Sequence, residues 1–289
     1  MPSESASLTT FHVPAVRGAG NRRRALLGII VLAVALALVV GAGRALWDVA
    51  SQTDFAARNL APSPAHPFGC DWMGRDMLAR TLAGLSTSVL VGLVAAACSS
   101  VVACALALAT ALGGRAADAA VSWFIDLVMG VPHLILLLLI SYALGRGVVG
   151  VAVGVALTHW PSLARVLRAE VMQLREQPWL AAARAAGASP WRIAFGHVLP
   201  ALLPQLLVGT VVAFPHAILH EASITFLGFG LPPELPAIGV ILSESMQYLS
   251  AGYWWLAVLP GAALLAVVLA FAGLGSLVRA LTSARTVQE

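Results

Sequence analysis

Polar residues are spaced along this chain so that six stretches are almost wholly apolar, each about twenty residues or longer, the length a helix needs to cross a hydrocarbon layer about 30 Å thick. In such a layer every backbone amide must find its partner within its own segment, so these stretches predict membrane-spanning helices. They run from Ala25 to Trp47, Ser86 to Leu112, Ala119 to Leu144, Val148 to Leu167, Leu202 to Phe226 and Trp254 to Leu277. Gly113, Gly114 and Arg115 part the second from the third, and Gly145, Arg146 and Gly147 the third from the fourth. Such short glycine-rich breaks read as tight turns between antiparallel helices. The first stretch follows Arg22, Arg23 and Arg24. Its apolar part exceeds the roughly 7–15 residues of a secretory signal and no convincing small-x-small cleavage site follows, so it reads as an uncleaved anchor.

Composition agrees. Of 289 residues 60% are hydrophobic and 10% charged, against about 25% charged in a soluble domain. All seventeen basic residues are arginine. The absence of lysine removes both a Schiff base and the Gly-Lys-Ser/Thr end of a P-loop, so the chain does not fuel itself by that route. Cys70, Cys98 and Cys104 show no C-x-x-C spacing and predict neither a disulfide framework nor a zinc site. The net charge is +4, but the arginines are spread along the chain instead of being gathered with aromatics, and no nucleic-acid partner is expected. With the N-terminus inside, Arg17, Arg22, Arg23, Arg24, Arg115, Arg165, Arg168, Arg175, Arg184, Arg192, Arg279 and Arg285 fall on the cytoplasmic side, twelve of the seventeen, so the positive-inside bias places both termini in the cytoplasm. Trp47, Trp72, Trp160, Trp254 and Trp255 fall near span ends, as an interfacial aromatic belt requires.

One long charged segment, 168–198, is too polar to cross the bilayer and should meet something soluble. Pro178 opens an alanine-rich helical stretch, Gly187 breaks it, and Ser189 with Pro190 starts a second short helix. The small side chains of Ala181, Ala182, Ala183, Ala185 and Ala186 leave one face bare enough to dock into a groove, with Arg184 and Arg192 at its rim.

Leu180-Ala-Ala-Ala-Arg-Ala-Ala-Gly187, followed by Ala-Ser-Pro-Trp-Arg-Ile-Ala-Phe-Gly-His-Val-Leu-Pro200, resembles the EAA loop of importer permeases of the ATP-binding-cassette class, with Ala182, Ala183, Arg184, Gly187, Ile193, Leu199 and Pro200 at family spacing. Ala181 stands where that family has Glu, and Glu176 lies one turn earlier. His66-Pro-Phe-Gly-Cys-Asp-Trp-Met-Gly-Arg-Asp76 resembles the H-x-x-G-T-D-x-x-G-R-D segment of peptide and nickel permeases of the DppC/OppC/NikC kind, with Cys70 replacing Thr; Glu221-Ala-Ser-Ile-Thr-Phe-Leu-Gly-Phe-Gly-Leu231 resembles their E-A-S-L-S-F-L-G-L-G. The resemblance implies an all-α integral membrane protein with the type I importer (MetI-like) permease fold and cytoplasmic coupling helices. It divides the chain into a tail (1–24), a first transmembrane helix (25–47), a periplasmic loop (48–82), a five-helix transmembrane domain (83–279) and a second tail (280–289). It further implies that the chain forms half of a pathway for peptides or nickel and other metal chelates across the inner membrane. The implied partners are a second, different permease, two cytoplasmic ATPases that use the ATP, and a periplasmic substrate-binding protein. The chain itself would bind no cofactor and catalyse no reaction.

Polar groups at bilayer depth need a reason. Asp126 reads either as a helix-end carboxylate paired with Arg115 or a nearby backbone group, or as part of the transport path. Pro132 and Pro215 are expected to interrupt helices and free the carbonyls of Val128 and Val211. His216 and His220, spaced i and i+4, lie on one helix face where two imidazoles could share a divalent metal, or could simply be hydrogen-bonded. The Thr158-His159-Trp160 step resembles the nickel branch of the family. His220-Glu221 invites an intramembrane metalloprotease, but the second histidine of H-E-x-x-H falls at Ile224. An ion-coupled secondary transporter would use Glu221 and leaves the 168–198 segment unexplained.

Overall fold

A computed structural model describes residues 19–283, and the expectations for Arg17, Arg285 and the outer parts of both tails lie outside the described residues. Among these the chain forms α-helices and no strand: α1 (Ala19–Ala45), α2 (Trp47–Ser51), α3 (Met77–Met129), α4 (His133–Ala143), α5 (Gly147–Arg175), α6 (Pro178–Ala185), α7 (Pro190–Ile193), α8 (Leu199–Phe226), α9 (Ile238–Leu249) and α10 (Trp255–Ser283).

Drawn straight, the 53 residues of α3 would reach about 80 Å at 1.5 Å per residue, far more than a bilayer. They do not run straight. Gly114 takes φ 65° and ψ −149°, a backbone state open to glycine alone without strain. Beyond it the helix returns beside its own first limb, so that Ala107 and Leu108 share a core with Val121 and Ile125. Arg168 holds the returning limb through both carboxylate oxygens of Asp118, at 2.6 and 2.7 Å. Among the described residues five helical stretches are long and apolar enough to cross a membrane; α3 doubles back at Gly114 and continues into the short apolar α4, which brings the passes to about six.

Small residues bring the passes together where lipid provides no hydrophobic drive between helices. A side chain at Gly92 would meet Ile218, one at Gly154 would meet Leu137, and one at Gly209 would meet Leu163. Ser99 donates across to the carbonyl of Ala156 at 2.8 Å, and Thr210 to the Ser100 hydroxyl at 2.7 Å. The apolar side chains of α1, including Leu26, Ile30, Val31, Val34 and Leu38, are instead largely exposed, which suits a helix bathed in lipid.

Several sequence expectations change. Trp160 lies mid-helix, buried and stacked on Phe124 at 5.0 Å, so it is a core residue and no part of an interfacial belt. Pro132 does mark a break, as the N-cap of α4, and the Val128 carbonyl it frees is met by the amides of Gly130 and, at 3.4 Å, Val131. Pro215 does not: α8 runs through it without interruption. The fourth span ends at Arg175, two turns beyond Leu167, because its arginines reach back to α3: Arg175 donates to the carbonyl of Thr110 at 2.8 Å.

At the end of the bundle where α3 begins, the 52–76 loop is built around buried charge. Asp71 accepts from the amides of Met73 and Arg75, from Arg75 Nε at 2.7 Å and from Arg80. Arg80 also reaches Glu244 of α9 at 2.9 Å, so two arginines and two carboxylates tie this loop, α3 and α9 together. His66 Nδ1 lies 2.8 Å from Asp76, whose other oxygen caps α3 at the amide of Ala79. Gly74 sits at φ +78°, and a Cβ there would fall 1.7 Å from the carbonyl oxygen of Asp54.

Cys70 is fully enclosed by this loop. Burial, and after it the carboxylates of Asp76, Asp71 and Asp54, push its thiol up to about 11. At pH 8 only about one thiol in a thousand is then thiolate, the reactive form, and the fraction grows only as pH rises toward 11. Native protein treated with a maleimide at pH 8 is expected to leave Cys70 unmodified by peptide mass spectrometry, with full labelling after denaturation. Fast native labelling would contradict the packing described.

Candidate functional site

Two features stand out, a cavity within the bundle and a hairpin at the end opposite the 52–76 loop. The cavity, about 640 Å³, lies between α4, α5 and α8, with the end of α3 and Arg279 of α10 completing its wall. Most of its lining is apolar, including Val128, Leu136, Leu163, Val208 and Val212. Four histidines give it chemistry: His133, His159, His216 and His220.

His133 opens α4 immediately after the Pro132 break. His159 Nδ1 donates to the carbonyl of Val155 at 2.9 Å, which fixes its ring and turns Nε2 toward His220 Nδ1, 3.0 Å away. The His133 ring centre lies 4.5 Å from each of the other two. One nitrogen from each of His133, His159 and His220 lies within 4.8 Å of the others. The close partners of His220 are therefore on other helices, and His216 lines the cavity outside this trio.

The remaining path candidates fall elsewhere. Asp126 is outside the lining and pairs with Arg165 at 2.8 Å, both side chains more than half exposed; its partner is thus Arg165 and not Arg115. Glu221 is fully buried away from the cavity. It accepts from the Thr225 hydroxyl at 3.0 Å, and Thr225 in turn accepts from the amide of Leu231 at 3.2 Å. This chain of bonds secures the turn after α8, where Gly228 at φ +82° lets the amide of Phe229 reach the carbonyl of Ile224.

The hairpin comprises α6, Gly187 and α7. Gly187 takes φ +81°, and the amides of Gly187 and Ala188 bond to the carbonyls of Arg184 and Ala183, a closure that favours glycine because the turn residue is left-handed. Ser189 caps α7 by accepting from the amide of Arg192 at 3.3 Å. A five-residue π-helical turn, Ala194–Val198, carries the chain into α8 without a break. Ala181, Ala182, Arg184 and Gly187 are exposed and Ala183 half-buried, while Ile193 is buried and Leu199 lies at the root beside Pro200.

Sequence reasoning missed two things here. Leu180 is fully buried and joins Leu167, Val171, Ile193 and Leu202 in one core, so it roots the hairpin among the spans. Trp179, Trp191 and Phe195 are 44%, 64% and 49% exposed, with the rings of Trp191 and Phe195 stacked at 5.7 Å. Such an exposed aromatic surface in an otherwise charged segment is suited to contact with a partner. His133 was missed as well, because its partners are distant in sequence and no local spacing announces them.

Comparison with known proteins accords with this architecture. Residues 101–284 match the family described as the binding-protein-dependent transport system inner membrane component. A putative peptide permease protein of Brucella ovis is 36% identical over 258 residues, 88% of this chain and 85% of its own. A putative peptide transport system permease protein of Brucella suis is 34% identical over 91% of both chains. A probable D,D-dipeptide transport system permease protein of Escherichia coli is 32% identical over 84% of this chain and 81% of its own. The membrane-spanning helices and these matches agree: the chain belongs to the inner membrane components of binding-protein-dependent transport systems, as a multi-pass permease of an ATP-binding-cassette importer.

Proposed function

We propose that this chain forms one half of a translocation pathway for peptides, and for small metal chelates of similar size, across the bacterial inner membrane. The observation that carries the reading is the hairpin: its root at Leu180 and Ile193 is packed among the spans while Trp179, Trp191 and Phe195 face outward. A cytoplasmic ATPase that grips this tip moves α3, α5 and α8 with it, because their side chains share the core that holds the root. Two such ATPases spend the ATP, and this chain holds no cofactor of its own. Both termini then lie in the cytoplasm. The opposite end, with the 52–76 loop and α9, receives a periplasmic binding protein. Exposed apolar residues of the α3–α4 limb, Trp123, Leu127, Leu134 and Ile135, are suited to a second, different permease that closes the pathway. The peptide assignment is supported by the names of the relatives.

No carboxylate lines the cavity among the described residues, which speaks against ion-coupled transport through Glu221. The assembled importer in proteoliposomes should take up peptide with ATP inside and continue when an ionophore collapses the proton gradient. Uptake driven by the gradient without ATP would overturn the reading.

A further inference from the structure

We infer that His133, His159 and His220 form a binding site for a divalent first-row transition cation within the cavity, so that the cargo of this pathway includes a chelated metal ion. The first half of that statement stands on geometry alone; the second rests on the importer reading above.

Three imidazoles from three helices converge here, one nitrogen of each within 4.8 Å of the others. A lone pair is available on His220 Nε2, and the one on His159 Nε2 is freed for a metal when the proton it accepts from His220 moves away. His159 spends its Nδ1 proton on the Val155 carbonyl, the outer hydrogen bond that orients a ligating histidine and leaves Nε2 bare. His220 gives its Nδ1 proton to that bare nitrogen, an arrangement that leaves its own Nε2 unprotonated. His133 Nε2 is buried without a hydrogen-bond partner among the described residues, which is costly for a polar atom and is relieved by a ligand. Among the described residues no carboxylate lines the cavity to hold these rings as a charge network.

Three neutral imidazoles favour zinc, nickel or copper over magnesium or calcium, which prefer oxygen. Three protein ligands also leave coordination positions open for water or for donor atoms that travel with the ion. A cavity of about 640 Å³ has room for a small chelate beside the rings.

The test uses the full chain in lipid nanodiscs, free of any polyhistidine tag, dialysed to equilibrium against Ni²⁺ alone. One ion per chain is expected, with affinity at least tenfold weaker in His133→Gln, His159→Gln and His220→Gln and unchanged in His66→Gln. Metal-edge X-ray absorption of the wild-type chain should show scattering from three imidazole rings, and this readout decides the matter should a variant fail to fold. No stoichiometric ion, oxygen-only scattering, or binding that survives all three substitutions would overturn the inference. The same preparation, assembled with its partners, separates the two claims: ATP-driven peptide uptake without ion binding sinks the metal site alone, and ion binding without ATP-driven uptake sinks the importer reading and with it the cargo clause.

Discussion

Leu180→Ala is expected to give an importer that still hydrolyses ATP but moves little substrate. The side chain is fully buried at the root of the hairpin, against a core built from α3, α5 and α8. Truncating a buried leucine costs about 2–5 kcal/mol when the site cannot collapse, and here the loss falls on the joint between lever and bundle. The exposed tip, with Trp179, Trp191 and Phe195, is untouched, so the ATPases should still dock and turn over. Since each 1.4 kcal/mol is about tenfold in an equilibrium, substrate uptake in proteoliposomes should fall at least tenfold while ATP hydrolysis stays near its normal rate. Uptake and hydrolysis falling in parallel would place Leu180 in docking, and an unchanged coupling ratio would remove it from the lever altogether.

Arg80→Ala should be the most damaging single change for stability. The Arg80 side chain is 4% exposed and bridges Asp71, equally buried, and Glu244. Its removal leaves two carboxylates to share Arg75 alone, a loss of partner that costs about 3–5 kcal/mol when the site is buried. Arg80→Lys should recover only part of this, because an ammonium cannot span both acids as the planar guanidinium does. Thermal unfolding in detergent measures the effect. A midpoint shift no larger than that of an exposed arginine such as Arg184 would show that the network contributes little.

The parts of this protein that follow from local sequence were legible without coordinates. Hydropathy alone located the spans, because lipid demands long apolar helices whatever they pack against. Gly187 announced the hairpin because a left-handed turn residue is a local requirement. What escaped depended on contacts between distant segments. The extension of α5 to Arg175 is secured by Asp118, fifty residues before its partner Arg168, and by the Thr110 carbonyl, sixty-five before Arg175. His133, in an apolar run, carries no sign that His159 and His220 will converge on it. The His216 and His220 spacing, by contrast, was visible and suggested a pair, yet the structure sets His220 against rings of other helices. Leu180 read as one more apolar residue of a motif until its burial identified it as an anchor.

The central claim is that the α6–α7 hairpin is gripped by a separate ATP-hydrolysing protein, and disulfide or short-linker crosslinking from Ala183→Cys and Gly187→Cys in membranes that contain the whole importer tests it most directly. The account predicts capture of an ATPase from both positions, with an efficiency that changes when ATP is added. Failure of both positions to capture it, or labelling of the hairpin by a membrane-impermeant reagent added outside intact cells, would contradict the account.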